Sequence, residues 1–219
     1  MHTTSKQIYA AVTVDIIGST AMYESTGEPI RARLLTVLES INRRFEDYLA
    51  VPFGITLGDE FQGLVRDVRA TPYIIYHIRA ELIPLRCREG VGIGPVASGL
   101  VSSTRDMEGP AFSMSRNALD ETKERKNRFT LYRMDDKLLQ EAANAIAMLV
   151  DTIQGSWTEK QWQALRAYLE YGSWPRVAEA LQITRQGVVR RIKPTHWQEV
   201  HEAISSLQLL LDDSFGTSS

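Results

Sequence analysis

Asp15 is the one charged residue in the run Ile8 to Ile17, IYAAVTVDII, and it stands where an apolar strand would open onto a loop. An ionised carboxylate there is costly without a partner. A second carboxylate, Asp59, falls in Gly58-Asp59-Glu60 between two short apolar runs. Each has a plain structural use: Asp15 can cap the turn that follows it, and Gly-Asp is a common hairpin turn. As a pair they point to chemistry. Adjacent strands of one sheet would bring Asp15 and Asp59 to one edge, where two carboxylates repel and need a bridging cation or a shared proton. Mg2+ or Mn2+, hard and oxygen-seeking, would serve. The loop Ile16 to Ala21 would then offer the backbone N–H groups of Gly18, Ser19 and Thr20 to a phosphate carried by that metal.

The elements that must position these residues follow from periodicity. Ile8 to Ile17 is almost wholly apolar and β-branched, as in a central strand covered on both faces. Ile30 to Leu49 carries Leu34, Leu38, Ile41, Phe45 and Tyr48 at helical spacing. Pro52 to Arg66 reads as a hairpin turning at Gly58-Asp59-Glu60. A helix beginning near Pro72 is expected to run to Leu82, a Gly-rich strand to lie within Leu85 to Val101, a helix to span Gly109 to Lys126, and a last strand Phe129 to Arg133. That order makes an α+β sandwich with helices over one face of a mainly antiparallel sheet. Leu138 to Ile153 should form a further helix with 138, 142, 146, 149 and 153 on its apolar stripe, packing on its own domain or against a second copy. Gly155-Ser156 marks a boundary.

At this point the residues resemble known families. Asp15-Ile16-Ile17-Gly18-Ser19-Thr20 is similar to the start of class III nucleotidyl cyclase domains, and Gly58-Asp59-Glu60-Phe61 to the signature hairpin of the diguanylate cyclases. Arg88-Glu89-Gly90-Val91-Gly92-Ile93-Gly94-Pro95-Val96-Ala97-Ser98-Gly99 resembles the glycine-rich cyclase strand, and a helix from Gly109 carrying Arg116 follows it. The whole chain resembles the SatD family of bacterial proteins, a resemblance that supplies architecture more than biochemistry. It implies a ferredoxin-like, palm-type sandwich over residues 1–134, a connecting helix over 135–155, an all-α helix-turn-helix domain over 156–212 and a tail over 213–219. The resemblance to the cyclases further implies that Asp15, Asp59 and the Ile16 carbonyl hold metal over a nucleoside triphosphate, one ion activating a hydroxyl and another neutralising the leaving group. Gly18, Ser19 and Thr20 would cradle phosphate, and Arg116 would match the transition-state arginine. Lys123, Arg125 and Lys126 are alternative phosphate contacts or simply a solvated helix end. Glu60 could assist the metal, act as a base or be an exposed turn residue. The sequence departs from the cyclase pattern in four places. Ile55 replaces the base-reading Lys, Ser113 replaces the Asn partner of Arg116, the spacing to Arg116 is one residue short, and the His of the later strand is absent.

The C-terminal segment carries an independent signal. Thr158 can cap a helix to Tyr171, Trp174-Pro175 begins a short one, and Thr184 caps a third through Arg191. Ala178, Leu181, Ile183, Val188 and Ile192 have helix-turn-helix core spacing, and the segment resembles the DNA-binding modules of sigma-factor and response-regulator tails. Between Trp157 and Gln198 seven basic residues stand against three acidic, a net of +4. Thr184, Arg185 and Gln186 would face base edges, and Arg190, Arg191 and Lys193 would meet phosphates of double-stranded DNA. A docking module with a basic face is the other use of such geometry. The final helix, with Val200, Ile204, Leu207 and Leu211 on one stripe, closes the module or pairs with a second copy. A homodimer suits both halves.

Composition sets the limits. The chain has 219 residues, 43% hydrophobic and 24% charged, with net charge −2, which suits one core domain with a small appendage and excludes a disordered or fibrous chain. The single cysteine, Cys87, rules out an internal disulfide and points to a cytoplasmic protein. No stretch approaches the roughly 20 apolar residues of a membrane span. A metal-dependent cyclase or nucleotidyltransferase, a catalytically inactive nucleotide sensor and a plain DNA-binding regulator with a dimerising N-terminal domain all fit these limits.

Overall fold

The computed structural model describes residues 7–19, 30–97, 103–104, 107–125 and 129–216. Its elements are β1 (Ile8–Ile17), α1 (Ile30–Arg44), β2 (Leu49–Leu57), β3 (Glu60–Val65), α2 (Thr71–Leu82), β4 (Arg86–Pro95), α3 (Pro110–Glu124), β5 (Thr130–Arg133) and α4 (Lys137–Gly155). The C-terminal helices are α5 (Glu159–Tyr171), α6 (Trp174–Ala180), α7 (Arg185–Ile192) and α8 (Trp197–Phe215). The five strands lie in the order β2-β3-β1-β4-β5. All pairs are antiparallel except β4 with β5. β1 is central, as its almost wholly apolar run leads one to expect.

Helices flank both faces of the sheet, which corrects the expectation of a single covered face. Ala10, Val12, Val14 and Ile16 of β1 pack with Leu34, Leu38 and Ile41 of α1 and Ile74 and Ile78 of α2. The opposite face of β1, Tyr9 and Ala11, meets Ala111 and Phe112 of α3. A strand apolar at nearly every residue needs such double cover. α3 comes close because β4 presents glycines to it. A Cβ on Gly92 would sit 2.0 Å from the Ala111 carbonyl oxygen, and one on Gly90 2.2 Å from that of Ser115. A buried polar chain fixes the contact. Gln62 Nε2 donates to Thr13 Oγ1 at 2.6 Å, Thr13 and Ser115 share a hydroxyl hydrogen bond at 2.6 Å, and Ser115 Oγ donates to the Gly90 carbonyl at 2.8 Å.

Both outer strands are closed by asparagine side chains. Asn42 of α1 accepts from Phe53 N at 2.7 Å and donates to its carbonyl at 2.9 Å, and Asn144 of α4 does the same for Tyr132 at 2.8 and 2.9 Å. Each side chain satisfies strand groups that would otherwise template a foreign strand. This use of α4 overturns the stripe read from its apolar residues. The buried positions are Leu139, Ala143, Asn144, Ala147, Val150, Asp151 and Gln154, one residue out of register with the expectation. Leu138 and Leu149 stand 82% and 60% exposed. The polar members face inward because they have partners there. Asp151 accepts from the Phe129 and Thr130 amides, both at 2.8 Å. Arg79 joins Glu89 (2.8 Å), Asp151 (2.8 Å) and Gln154 (2.7 Å) in one buried cluster. Cys87 is buried as expected, and burial pushes its thiol pKa well up.

α1 ends at Arg44, before the expected Leu49, and Tyr48 lies in a short 3-10 turn, 43% exposed. Thr158 and Gln161 form a reciprocal cap on α5, and Gly172 ends that helix at φ 67°. The stripe of α8 is consumed within the chain. Val200 and Ile204 join Tyr76, Trp157 and Trp162, whereas Leu207 and Leu211 enter the main core. It is therefore not left over to pair with a second copy. The tail expected from residue 213 is instead helical to Phe215, and Asp212 pairs with Arg69 at 2.9 Å. Residues 217–219 lie outside the described residues. No helix among the described residues is long and apolar enough to cross a membrane.

The Gly92→Ala variant is expected to lose about 2 kcal/mol, the usual scale of overpacking, and to show a lower urea midpoint. Gly54→Ala, whose Cβ meets nothing within 4 Å, is expected to stay within about 0.5 kcal/mol of the parent.

Candidate active site at the open end of the central strand

The carboxylates singled out in the sequence converge where β1 ends. Asp15 points to the α3 side of the sheet and stands opposite Arg88 in the β1–β4 ladder. β3 runs along the other edge of β1, with Val14 opposite Phe61, so Glu60 at the start of β3 falls beside Asp15. Asp59 occupies the turn from β2, and Gly58 adopts φ 59°, a left-handed conformation glycine takes without strain. Leu57 pairs with Glu60, so the turn is as tight as the sequence suggested. Ser19 Oγ donates to Asp59 Oδ2, closing the loop after β1 onto the hairpin. Gly18 makes that reversal at φ 77°.

Three cations complete the cluster. Arg116 of α3 grips Glu60 through both terminal nitrogens, with Nη2 to Oε1 at 2.6 Å. Lys123, two turns further along the same helix face, lies 3.9 Å from Asp15 Oδ1 and 3.8 Å from Asp120. Arg88 Nη1 lies 4.0 Å from Asp15 Oδ2. The two carboxylates are thus treated differently. Burial opposes ionisation of Glu60, but hydrogen bonds from Arg116 and from Thr56 (2.9 Å) outweigh it and hold its carboxyl below the usual range. Burial pushes the Asp15 carboxyl up; Lys123 pulls it back, Asp59 and Glu60 add to the rise, and Arg88 opposes them. The charge of Asp15 is left incompletely compensated, because its cations stand beyond hydrogen-bond distance.

Among the described residues no set of three or more His, Cys, Asp or Glu side chains forms a ready-made metal cage. Mg2+ does not need one. It is ordinarily held by one or two carboxylates, with water and substrate phosphates filling the remaining positions. Asp15, under-compensated, and Asp59 fit that donor set. The Ile16 side chain lies in the main core, so only its backbone is left for the site. Ser19 and Gly18 border the site, with the Ser19 hydroxyl engaged by Asp59. Thr20, Ser98, Gly99 and Lys126 lie outside the described residues. Arg125 is not brought to the site; it pairs with Glu121. Ile55 packs on the main core. Arg88 had no assigned role in the sequence. Its place follows from the β1–β4 register, which only the paired strands reveal.

In the C-terminal helices Thr184 Oγ1 accepts from Gly187 N at 3.0 Å and so caps α7. Arg185, Gln186, Arg190 and Lys193 are exposed, and Arg191 is half-buried. Val188 faces inward with Val177 and Ala178.

The raised Asp15 pKa fixes the sign of one pH effect. The folded state holds that proton more tightly than the unfolded chain, so the stability it contributes is present below 3.8 and lost as pH rises through the folded value. Asp15→Asn is therefore expected to raise the Tm at pH 7, and the gain should shrink toward zero as pH falls to 3.8. Calorimetric melts across that range check it, and a Tm gain that does not vary with pH would contradict it.

Solved structures that resemble parts of the chain include three cyclases. The guanylyl cyclase domain of the RhoGC fusion protein from the aquatic fungus Blastocladiella emersonii is 18% identical over 52% of this chain and 74% of its own, with TM-score 0.42. Adenylate cyclases from Trypanosoma brucei give 17% identity over 50% and 67%, with TM-score 0.38. A bacterial light-regulated adenylyl cyclase gives 15% over 69% and 81%, with TM-score 0.43. No curated protein matches the chain. The SatD family model matches residues 9–198, which takes in the sheet, the carboxylate cluster and α5 to α7, and the chain belongs to the SatD family.

Proposed function

We propose that the chain is a metal-dependent nucleotide-binding protein of the nucleotidyl cyclase or nucleotidyltransferase type. In this reading α5 to α7 form a helix-turn-helix that binds duplex DNA, and the protein is a cytoplasmic bacterial signalling or transcriptional regulator that acts as a homodimer. The observation that carries the first half is the half-buried Asp15 carboxylate, set beside Asp59 at the open sheet end with its cations at 3.9 and 4.0 Å.

Asp15 and Asp59 would hold Mg2+ or Mn2+, with the Ile16 carbonyl beside them. The bound ion would neutralise phosphate charge and acidify an attacking hydroxyl. Gly18 and Ser19 lie at the mouth where a phosphate would enter. Lys123 and Arg88, not committed to a close ion pair with Asp15, would turn to phosphate oxygens once its charge is met. Arg116 would stabilise charge on the transferring group if it exchanged Glu60 for the substrate, leaving Glu60 to act as a proton acceptor. For the second half, Thr184, Arg185 and Gln186 stand at the start of α7, where base edges would be read, and Arg190, Arg191 and Lys193 stand where phosphates would run. Among the described residues none of these side chains is drawn into an ion pair.

The close Arg116–Glu60 pair favours a second reading, a nucleotide sensor without turnover, because it neutralises the one arginine placed for transition-state charge. A single assay separates them. Incubation with each labelled nucleoside triphosphate and Mg2+ or Mn2+ is expected to give a product that falls at least about a hundredfold in Asp15→Asn and Asp59→Asn. Saturable triphosphate binding with no product would leave the sensor reading in its place, and neither binding nor product would remove both.

A further inference from the structure

On α7 the inward positions are taken by Val188, fully buried, and Ile192, which packs on the same small core. Helical spacing leaves Arg185, Gln186, Val189, Arg190 and Lys193 on the outward side. Val189 is 55% exposed in the middle of that cationic face. Its inner side borders the cavity that Trp174, Ile192 and Trp197 also line, and the rest of it stands open to solvent. A β-branched side chain on such a helix position lowers helix propensity and gains only partial burial.

The neighbours of Val189 give the position a chemical sense. Gln186 lies one turn before it, Lys193 one turn after, and Arg190 beside it. A glutamine amide offers the donor and acceptor that match adenine N6 and N7, and an exposed branched hydrocarbon is the complement of the thymine C5-methyl group. Three residues advance ~4.5 Å along a helix, close to the ~3.4 Å step between base pairs, so the two side chains can address one pair or adjacent pairs. Resting on the DNA-binding reading above, we infer that Gln186 and Val189 read an adenine–thymine step in the major groove, with Val189 against the thymine methyl. Arg190 and Lys193 then fix the register through phosphates, contributing affinity without sequence preference.

The full chain can be titrated at one fixed salt concentration, since salt alone shifts all such affinities. Three labelled duplexes of roughly two helical turns serve as probes: one rich in dA·dT steps, a copy with every thymine replaced by deoxyuridine, and one rich in dG·dC. The parent protein is expected to bind the thymine duplex about fourfold more tightly than its uracil copy, the factor supplied by burying one methyl-sized group. Val189→Ser should erase that ratio, and Val189→Thr, which keeps a methyl, should retain it. Equal affinity for thymine and uracil duplexes, or tighter binding to dG·dC, overturns the base assignment and leaves DNA binding standing. No binding to any of the three overturns the DNA-binding reading and this inference with it.

Discussion

The close seating of α3 on the glycines of β4 is the constraint on which the rest of the molecule depends. Any side chain at Gly90 or Gly92 would drive a Cβ into the helix backbone, so the distance between helix and sheet is fixed by what the strand lacks. That distance lets Ser115 reach Thr13 and Gly90, and those hydrogen bonds lock the rotation of α3 about its axis. Once the rotation is set, Arg116 and Lys123 project over the end of β1 toward Glu60 and Asp15. The glycine-rich strand and the cationic helix are thus one device: the first exists so that the second can be near.

Electrostatics then divides the labour among the acidic residues. Glu60 is the better buried and is fully met by Arg116 and Thr56, so it remains ionised and holds α3 to the hairpin. Asp15 is half-buried with only distant cations, so its charge is costly in the folded state. A structural residue would gain nothing from that arrangement. A residue waiting for a cation of higher charge density would gain from it directly. The same chain shows that it can satisfy a buried carboxylate when none is needed for binding: Glu89 and Asp151 share Arg79 on the other side of the sheet, and Asp151 also accepts from the Phe129 and Thr130 amides.

Much of this was legible in the residues. The apolar run around Asp15 suited a central strand better than a surface one, and Gly58-Asp59-Glu60 between two β-rich runs suited a tight turn. Thr158 and Thr184 announced two helix starts. What periodicity could not show is where polar residues are buried for a purpose. Asn144, Asp151 and Gln154 sit on the inner face of α4, so a reading that sends apolar residues inward shifted that helix by one position and hid Leu138 and Leu149, which in fact face out. Cover on both sides of the sheet followed from β1 itself, but the element order suggested otherwise. Arg88 escaped because its meaning lies in a register, and a register is a property of two strands. The stripe on α8 was visible, whereas its division between the tryptophan cluster and the main core was not, because that depends on how α4 and α8 pack.

The central claim is that Asp15 and Asp59 form a cation site completed by a nucleotide. Electron paramagnetic resonance of Mn2+ titrated into the protein, with and without a nucleoside triphosphate, tests it without requiring turnover. The account predicts weak Mn2+ binding by the protein alone, and a bound-ion signal with triphosphate present that Asp15→Asn removes while the fold stays intact and the Tm does not fall. A triphosphate-dependent signal that survives in Asp15→Asn, or no such signal in the parent protein, would contradict it.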